Sequence, residues 1–165
     1  MNRPALLALA ALALTGCGQG QGPAEQSAAP AAPAAPAPTA AEKAALLAAL
    51  PAPYNAADLE NGRRAFARCR SCHTIPEGGS NMTGPNLHGV FGRQAGAHPG
   101  FNYSTAMKEA DFVWDGARLD DWLENPRTFL KGTKMSFAGI PDPTDRRDVI
   151  AFLMVETGHT PLPRP

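Results

Sequence analysis

The sequence has only three cysteines, at position 17 and at positions 69 and 72, too few and too unevenly placed for a disulfide framework. It has no excess of either charge. Its 15 basic and 15 acidic side chains cancel, so the total favours neither nucleic acid nor an acidic polymer as partner, and any electrostatic role must come from local patches. A membrane-spanning helix needs about 20 apolar residues, and the apolar run from Ala5 to Leu14 ends after about ten. No strand-like alternation of useful length appears either, so the regular segments read as helices and the fold class as all-α. What the chain does have is 16 glycines and 17 prolines in 165 residues, unevenly distributed. That pattern is expected of a globular domain joined to a low-complexity segment.

The N-terminus reads as an export signal over residues 1–16, with Arg3 as the positive region ahead of the apolar run. The run ends in Leu14-Thr15-Gly16-Cys17, which resembles the lipobox of bacterial lipoprotein precursors. That resemblance implies cleavage before Cys17, lipidation of its thiol and a chain tethered to a membrane by several acyl chains. The alternative is an ordinary signal with an incidental cysteine. Residues 17–53 read as an Ala/Pro-rich flexible tether, because from Gly18 to about Pro38 the chain offers almost nothing to bury. At polyproline pitch of about 3.1 Å per residue this stretch reaches on the order of 100 Å. Within it, Thr39 and Glu42 have the spacing of a capping box ahead of Ala44 to Leu50, a helix too short to be stable alone.

The folded domain is expected over 54–165. Asp58 to about Arg70 carries Leu59, Gly62 and Phe66 at helical spacing, with Gly62 allowing another helix to approach closely. Asp142 or Thr144 caps a last helix containing Val149, Ile150, Phe152 and Leu153, which Gly158 ends. Arg118 to Asn125 reads as a third helix stopped by Pro126, and Ser104 to Ala110 as a short fourth. So much loop in so small a domain calls for a large internal cofactor to complete the core.

Cys69-Arg70-Ser71-Cys72-His73 has the pattern of c-type haem attachment, in which two thiols three residues apart reach two vinyl groups and the next residue offers its imidazole to the iron. A zinc site would want a second pair of ligands, and no further cysteine pair exists. A thioredoxin-like pair would want a strand-helix-strand unit, which the pattern lacks. A five-residue pattern also arises by chance.

From Asp58 to Thr157 the sequence resembles the class I cytochromes c, the family of mitochondrial cytochrome c and its bacterial relatives. The resemblance rests on Cys69 to Thr74, on Thr83-Gly84-Pro85-Asn86-Leu87-His88-Gly89-Val90-Phe91-Gly92-Arg93, on Glu124-Asn125-Pro126 and on Gly132-Thr133-Lys134-Met135. It implies the cytochrome c fold, with N- and C-terminal helices crossing and shorter helices and long loops wrapping a single covalent haem c. It implies Met135 as sixth ligand opposite His73, and Pro85 as the carbonyl that orients the His73 ring. It implies Arg93, Tyr103, Trp114 and Thr133 as partners of the haem propionates. For Met135 the residues add that it sits in a loop between Gly132 and Gly139, where a thioether has no evident packing duty, whereas Met82, Met107 and Met154 read as core filler. Two positions depart from the mitochondrial pattern: Trp122 replaces a tyrosine near the methionine sulfur, and Met107 replaces an asparagine. His88 reads as structural, His98 and His159 as solvent-exposed.

An iron with both axial positions filled by protein does little but change oxidation state, so the resemblance implies a one-electron carrier and not an enzyme. The expected donor is a quinol-cytochrome c oxidoreductase, and the expected acceptor a terminal oxidase or periplasmic reductase. The expected location is the periplasmic side of the cell envelope, held by lipid at Cys17, with no nucleic acid involved and a monomer as the family default. Arg68, Arg70, Arg127, Lys131 and Lys134 flank the haem-bearing segments, and Asp111, Asp115, Asp120 and Asp121 cluster apart from them, an arrangement suited to steering. Two alternatives are a haem peroxidase or gas sensor with a dissociable Met135, and an electron-input module of a larger complex.

Overall fold

Each helix begins where a short polar side chain satisfies the first free N–H groups. The computed structural model describes residues 38–159; the expected signal, Cys17 and the tether up to residue 37 lie outside the described residues. In α1 (Ala40–Ala49) the Thr39 hydroxyl accepts from the Glu42 N–H while the Glu42 carboxylate accepts from the Thr39 N–H, the expected capping box. This helix does not stand free. Leu47 packs against the core, Leu50 is buried, and Lys43 pairs with Glu156 of the last helix. Ala40–Ala49, within the stretch expected to be a tether, is thus a helix whose end is docked, because two leucines find apolar surface to cover.

After a 3-10 turn at Tyr54–Ala56, Asp58 caps α2 (Leu59–Phe66) by accepting from the Glu60 and Asn61 N–H groups. The helix is shorter than the expected Asp58 to Arg70. Beyond Phe66 the bonds tighten to three-residue turns, Ala67 to Arg64 and Arg68 to Ala65, and the chain leaves the helix axis. Asp142, and not Thr144, caps α6 (Pro143–Thr157), with Pro143 in its first turn and Gly158 at its end with φ 75°.

α2 crosses α6 at Gly62. A Cβ built there would collide with the Asp148 carbonyl and lie 2.7 Å from the Phe152 Cβ, so only glycine allows this contact. The Phe66 and Phe152 rings pack at 5.6 Å beside it. Asp148, 1% exposed, accepts from the Asp58 N–H at 3.1 Å, the Asn61 amide at 2.9 Å and Arg147 at 2.7 Å, which repays the removal of its charge from water.

Between the crossing helices lie α3 (Thr105–Lys108), α4 (Gly116–Glu124) and α5 (Pro126–Phe129). α5 has no counterpart among the expected helices. Pro126 ends α4 as expected but also opens α5, since a residue without an N–H is harmless in a first turn, and Asn125 caps it from the Thr128 N–H. Phe112, Trp114, Trp122 and Phe129 cluster around these helices, edge to face except for the stacked Trp114 and Phe129, with Trp114 and Trp122 at 5.5 Å. Among the described residues the single strand-like pairing is one antiparallel bridge, Gln94 with Val113. No helix there is long and apolar enough to cross a membrane.

Candidate functional site

The turn after α2 gathers the three residues of the attachment pattern. The Phe66 carbonyl accepts from the Cys69 N–H at 2.8 Å, and the Cys69 carbonyl accepts from both the Cys72 and His73 N–H groups at 3.0 Å. Cys69, Cys72 and His73 consequently line one cavity of about 470 Å³, within the usual range for a bound small molecule. Its walls include Phe66, Leu87, Val90, Leu119, Leu123 and Leu153.

The loop after His73 folds back over the imidazole. His73 Nδ1 lies 2.7 Å from the Pro85 carbonyl oxygen, which can only accept, so Nδ1 carries the proton and Nε2 is left as a free lone pair. The Gly84 N–H donates to the Cys72 carbonyl at 2.8 Å, and a Cβ built at Gly84 would lie 2.7 Å from His73 Nδ1. Burial pulls the His73 pKa down, the Pro85 bond opposing it, and so favours the neutral ring. Burial also pushes the Cys69 thiol up to about 11, with Arg68 opposing. At neutral pH that thiol stays protonated; a thioether in the same place has no proton to lose.

Asn86, 2% exposed, holds this loop together: its amide donates to the Thr74 hydroxyl at 2.7 Å and the Pro76 carbonyl at 2.9 Å, and its oxygen accepts from the His88 N–H at 2.9 Å.

Pro85, Arg93, Tyr103, Trp114, Thr133 and Met135 line the same cavity, so all nine cofactor residues expected from the sequence come together. Met135 is half-buried, and its N–H donates to the Thr133 hydroxyl at 3.2 Å. The Lys134 ammonium bonds the Asn102 and Tyr103 carbonyls at 3.1 and 3.3 Å, tying the Met135 loop to the opposite wall. The Arg93 guanidinium donates to the carbonyls of Asn86 and His88 and to His98 Nδ1 at 2.9 Å. Burial lowers its pKa and Tyr103 opposes this. Every one of those acceptors is neutral; among the described residues no carboxylate lies within ion-pair distance of Arg93.

A half-buried cation without an anion, two thiols, an oriented neutral imidazole, a thioether and apolar walls fit a haem, whose carboxylates Arg93 could pair. Among the described residues no group of three or more His, Cys, Asp or Glu side chains is arranged to hold a metal ion by itself.

Several side chains depart from expectation. Met82 is 48% exposed at the cavity rim and is not core, whereas Met107 and Met154 are buried. His98 is half-buried as the acceptor of Arg93, and His159 packs edge-on against Phe91 at 5.3 Å. Asp120 is not a free surface acid but pairs with the buried Arg146 at 2.9 Å. The sequence marks no site role for Asn86 or His98; the signal for Asn86 is a short amide within a Gly/Pro loop, a residue type that bonds local backbone.

A family model described as cytochrome c matches residues 59–155. The chain is 41% identical over 106 residues to cytochrome c of Kluyveromyces lactis, covering 64% of this chain and 96% of that one. It is 45% identical over 106 residues to cytochrome c2 of Rhodomicrobium vannielii, covering 64% and 85%. Among solved structures, cytochrome cH from Methylobacterium extorquens superposes with a TM-score of 0.55 at 42% identity, covering 58% of this chain and 96% of that one.

Proposed function

The chain belongs to the cytochrome c family, and from that premise we propose that it carries single electrons between membrane complexes on the periplasmic side of the cell envelope, tethered there by lipid at Cys17. Its fold is the all-α cytochrome c fold, its cofactor is one covalent c-type haem, and it is an electron carrier and not an enzyme. When bound, the haem supplies a reversible one-electron couple at its iron.

In this reading Cys69 and Cys72 would hold the group by thioethers, and His73 and Met135 would ligate its iron. The observation that carries the reading is the 2.7 Å contact of His73 Nδ1 with the Pro85 carbonyl, made inside a cavity that also contains Met135 and both thiols. By donating from Nδ1, His73 presents Nε2 in the neutral form a ligand requires. Met135 contributes an uncharged, polarizable sulfur that favours the lower oxidation state. Arg93, with Tyr103, Trp114 and Thr133, would meet the haem carboxylates, whose burial would otherwise be costly. Leu119, Leu123, Val149 and Leu153 keep water from the remaining wall. With His73 and Met135 both given to the iron, the group would exchange electrons and not bind a substrate.

Arg70, Arg127, Lys131 and Lys134 are exposed, and Lys134 borders the cavity. Arg68 is drawn toward Asp145 at 3.6 Å and contributes less. These exposed basic side chains suit acidic faces on a quinol-cytochrome c oxidoreductase as donor and on a terminal oxidase or periplasmic reductase as acceptor, and attraction of that kind speeds encounter. The protein acts as a monomer on a tether. The test is oxidation of the reduced protein by oxidase-containing membranes at increasing salt: the rate should fall steeply with ionic strength, and a salt-independent rate contradicts the docking. In parallel, Cys17→Ser should release the protein from the membrane fraction.

A further inference from the structure

The loop from Leu130 to Pro141, which carries Met135, contains no helix, so its depth in the fold must be set by anchors. The firmest lies at its far end. Ile140 is fully buried and its N–H donates to the Leu123 carbonyl of α4 at 2.7 Å. A side chain at Gly139 would collide with the Glu124 carbonyl, so the loop is pressed directly onto α4. Onto this junction α6 sends Arg146, 6% exposed. Its Nη1 donates to the carbonyls of Ile140 and Pro141, both at 2.9 Å. Its other edge meets the Asp120 carboxylate of α4 at 2.9 and 3.4 Å, with Glu124 at 3.7 Å. One guanidinium of α6 thus bonds α4 and the loop at once, through charge-assisted bonds that are stronger than neutral ones.

We propose that Arg146 is a positioning residue for Met135: held by Asp120, it fixes the end of the loop and thereby sets how readily the Met135 sulfur gives up its place at the cofactor. Arg146 does not line the cavity, so it acts through Ile140 and Pro141 and not by touch. A lysine cannot replace it, because a single ammonium cannot reach two carbonyls and a carboxylate with one planar fork. The inference rests on the reading of Met135 as axial ligand.

The test uses the ferric holoprotein, with imidazole as a probe that binds where Met135 leaves. Arg146→Lys should bind imidazole about tenfold tighter, the size of effect seen when an outer partner of a ligand is lost. It should also lose the far-red sulfur–iron band at lower denaturant than its helical circular dichroism. Asp120→Asn should shift both in the same direction by less. Unchanged imidazole affinity in a folded Arg146→Lys protein overturns the proposal, as does loss of band and helix together. Should Arg146→Lys fail to fold, Asp120→Asn decides: tighter imidazole binding supports the proposal and unchanged binding overturns it. Wild-type protein without the far-red band, or binding imidazole as tightly as Met135→Ala, would instead refute the ligand reading itself.

Discussion

His73 Nδ1 and the Pro85 carbonyl oxygen lie 2.7 Å apart across twelve residues of chain, and this one contact fixes both the tautomer and the plane of the imidazole. Gly84 makes the contact possible, because a Cβ there would sit 2.7 Å from the same nitrogen. Gly84→Ala should therefore displace the ring at a cost of about 1–3 kcal/mol, the usual range for overpacking. Guanidinium denaturation of the holoprotein checks the cost, and a changed ferric spectrum checks the displacement. Pro85→Ala keeps the carbonyl and should have the smaller effect; the reverse order would contradict the geometry.

The helix crossing makes a second prediction. Gly62→Ala raises helix propensity by up to about 1 kcal/mol, yet its methyl would meet the Asp148 backbone and the Phe152 Cβ. Backbone cannot yield as a side-chain tip does, so the net change should be destabilising by about 1–3 kcal/mol. A lowered denaturation midpoint with an unchanged slope is expected. A stabilised variant would mean that α2 and α6 do not approach so closely.

Stability should also depend on pH through His98. Burial lowers its pKa in the folded protein and the neighbouring Arg93 lowers it further, since a protonated Nδ1 could no longer accept from the guanidinium. As pH falls below about 6.5 the unfolded chain takes up the proton first. The contribution is then fully present above that pH and is lost as pH falls toward the depressed folded value. His98→Gln, which keeps an acceptor but cannot titrate, should flatten the fall in stability between about pH 7 and pH 5. An unchanged slope would show that His98 does not couple to folding.

How much of this was legible in the sequence varies by element. Leu59, Gly62 and Phe66 marked α2 and even the reason for its glycine, and Asp142 and Gly158 marked both ends of α6. Their cues are local, and local geometry decided them. The cavity residues were legible through family likeness; spacing alone carried only Cys69, Cys72 and His73. What could not be read were contacts made across the chain. The docking of α1 depends on Leu47 and Leu50 finding α6 and its neighbours, in a stretch whose composition looks like linker. The Arg93 to His98 bond depends on a turn bringing two polar groups together. Arg146 is hardest of all, because arginine is rarely buried and nothing in the sequence near position 146 announces that α4 will meet it.

The central claim, that a thioether-linked haem is gripped by His73 and Met135, is tested most directly by the visible absorption spectrum of the purified ferric protein after acid–acetone treatment and refolding. The account predicts that the pigment stays with the polypeptide and that the wild-type spectrum shows the weak far-red band of sulfur ligation, absent from Met135→Ala. A pigment that extracts freely, or a far-red band that survives loss of Met135, would contradict it.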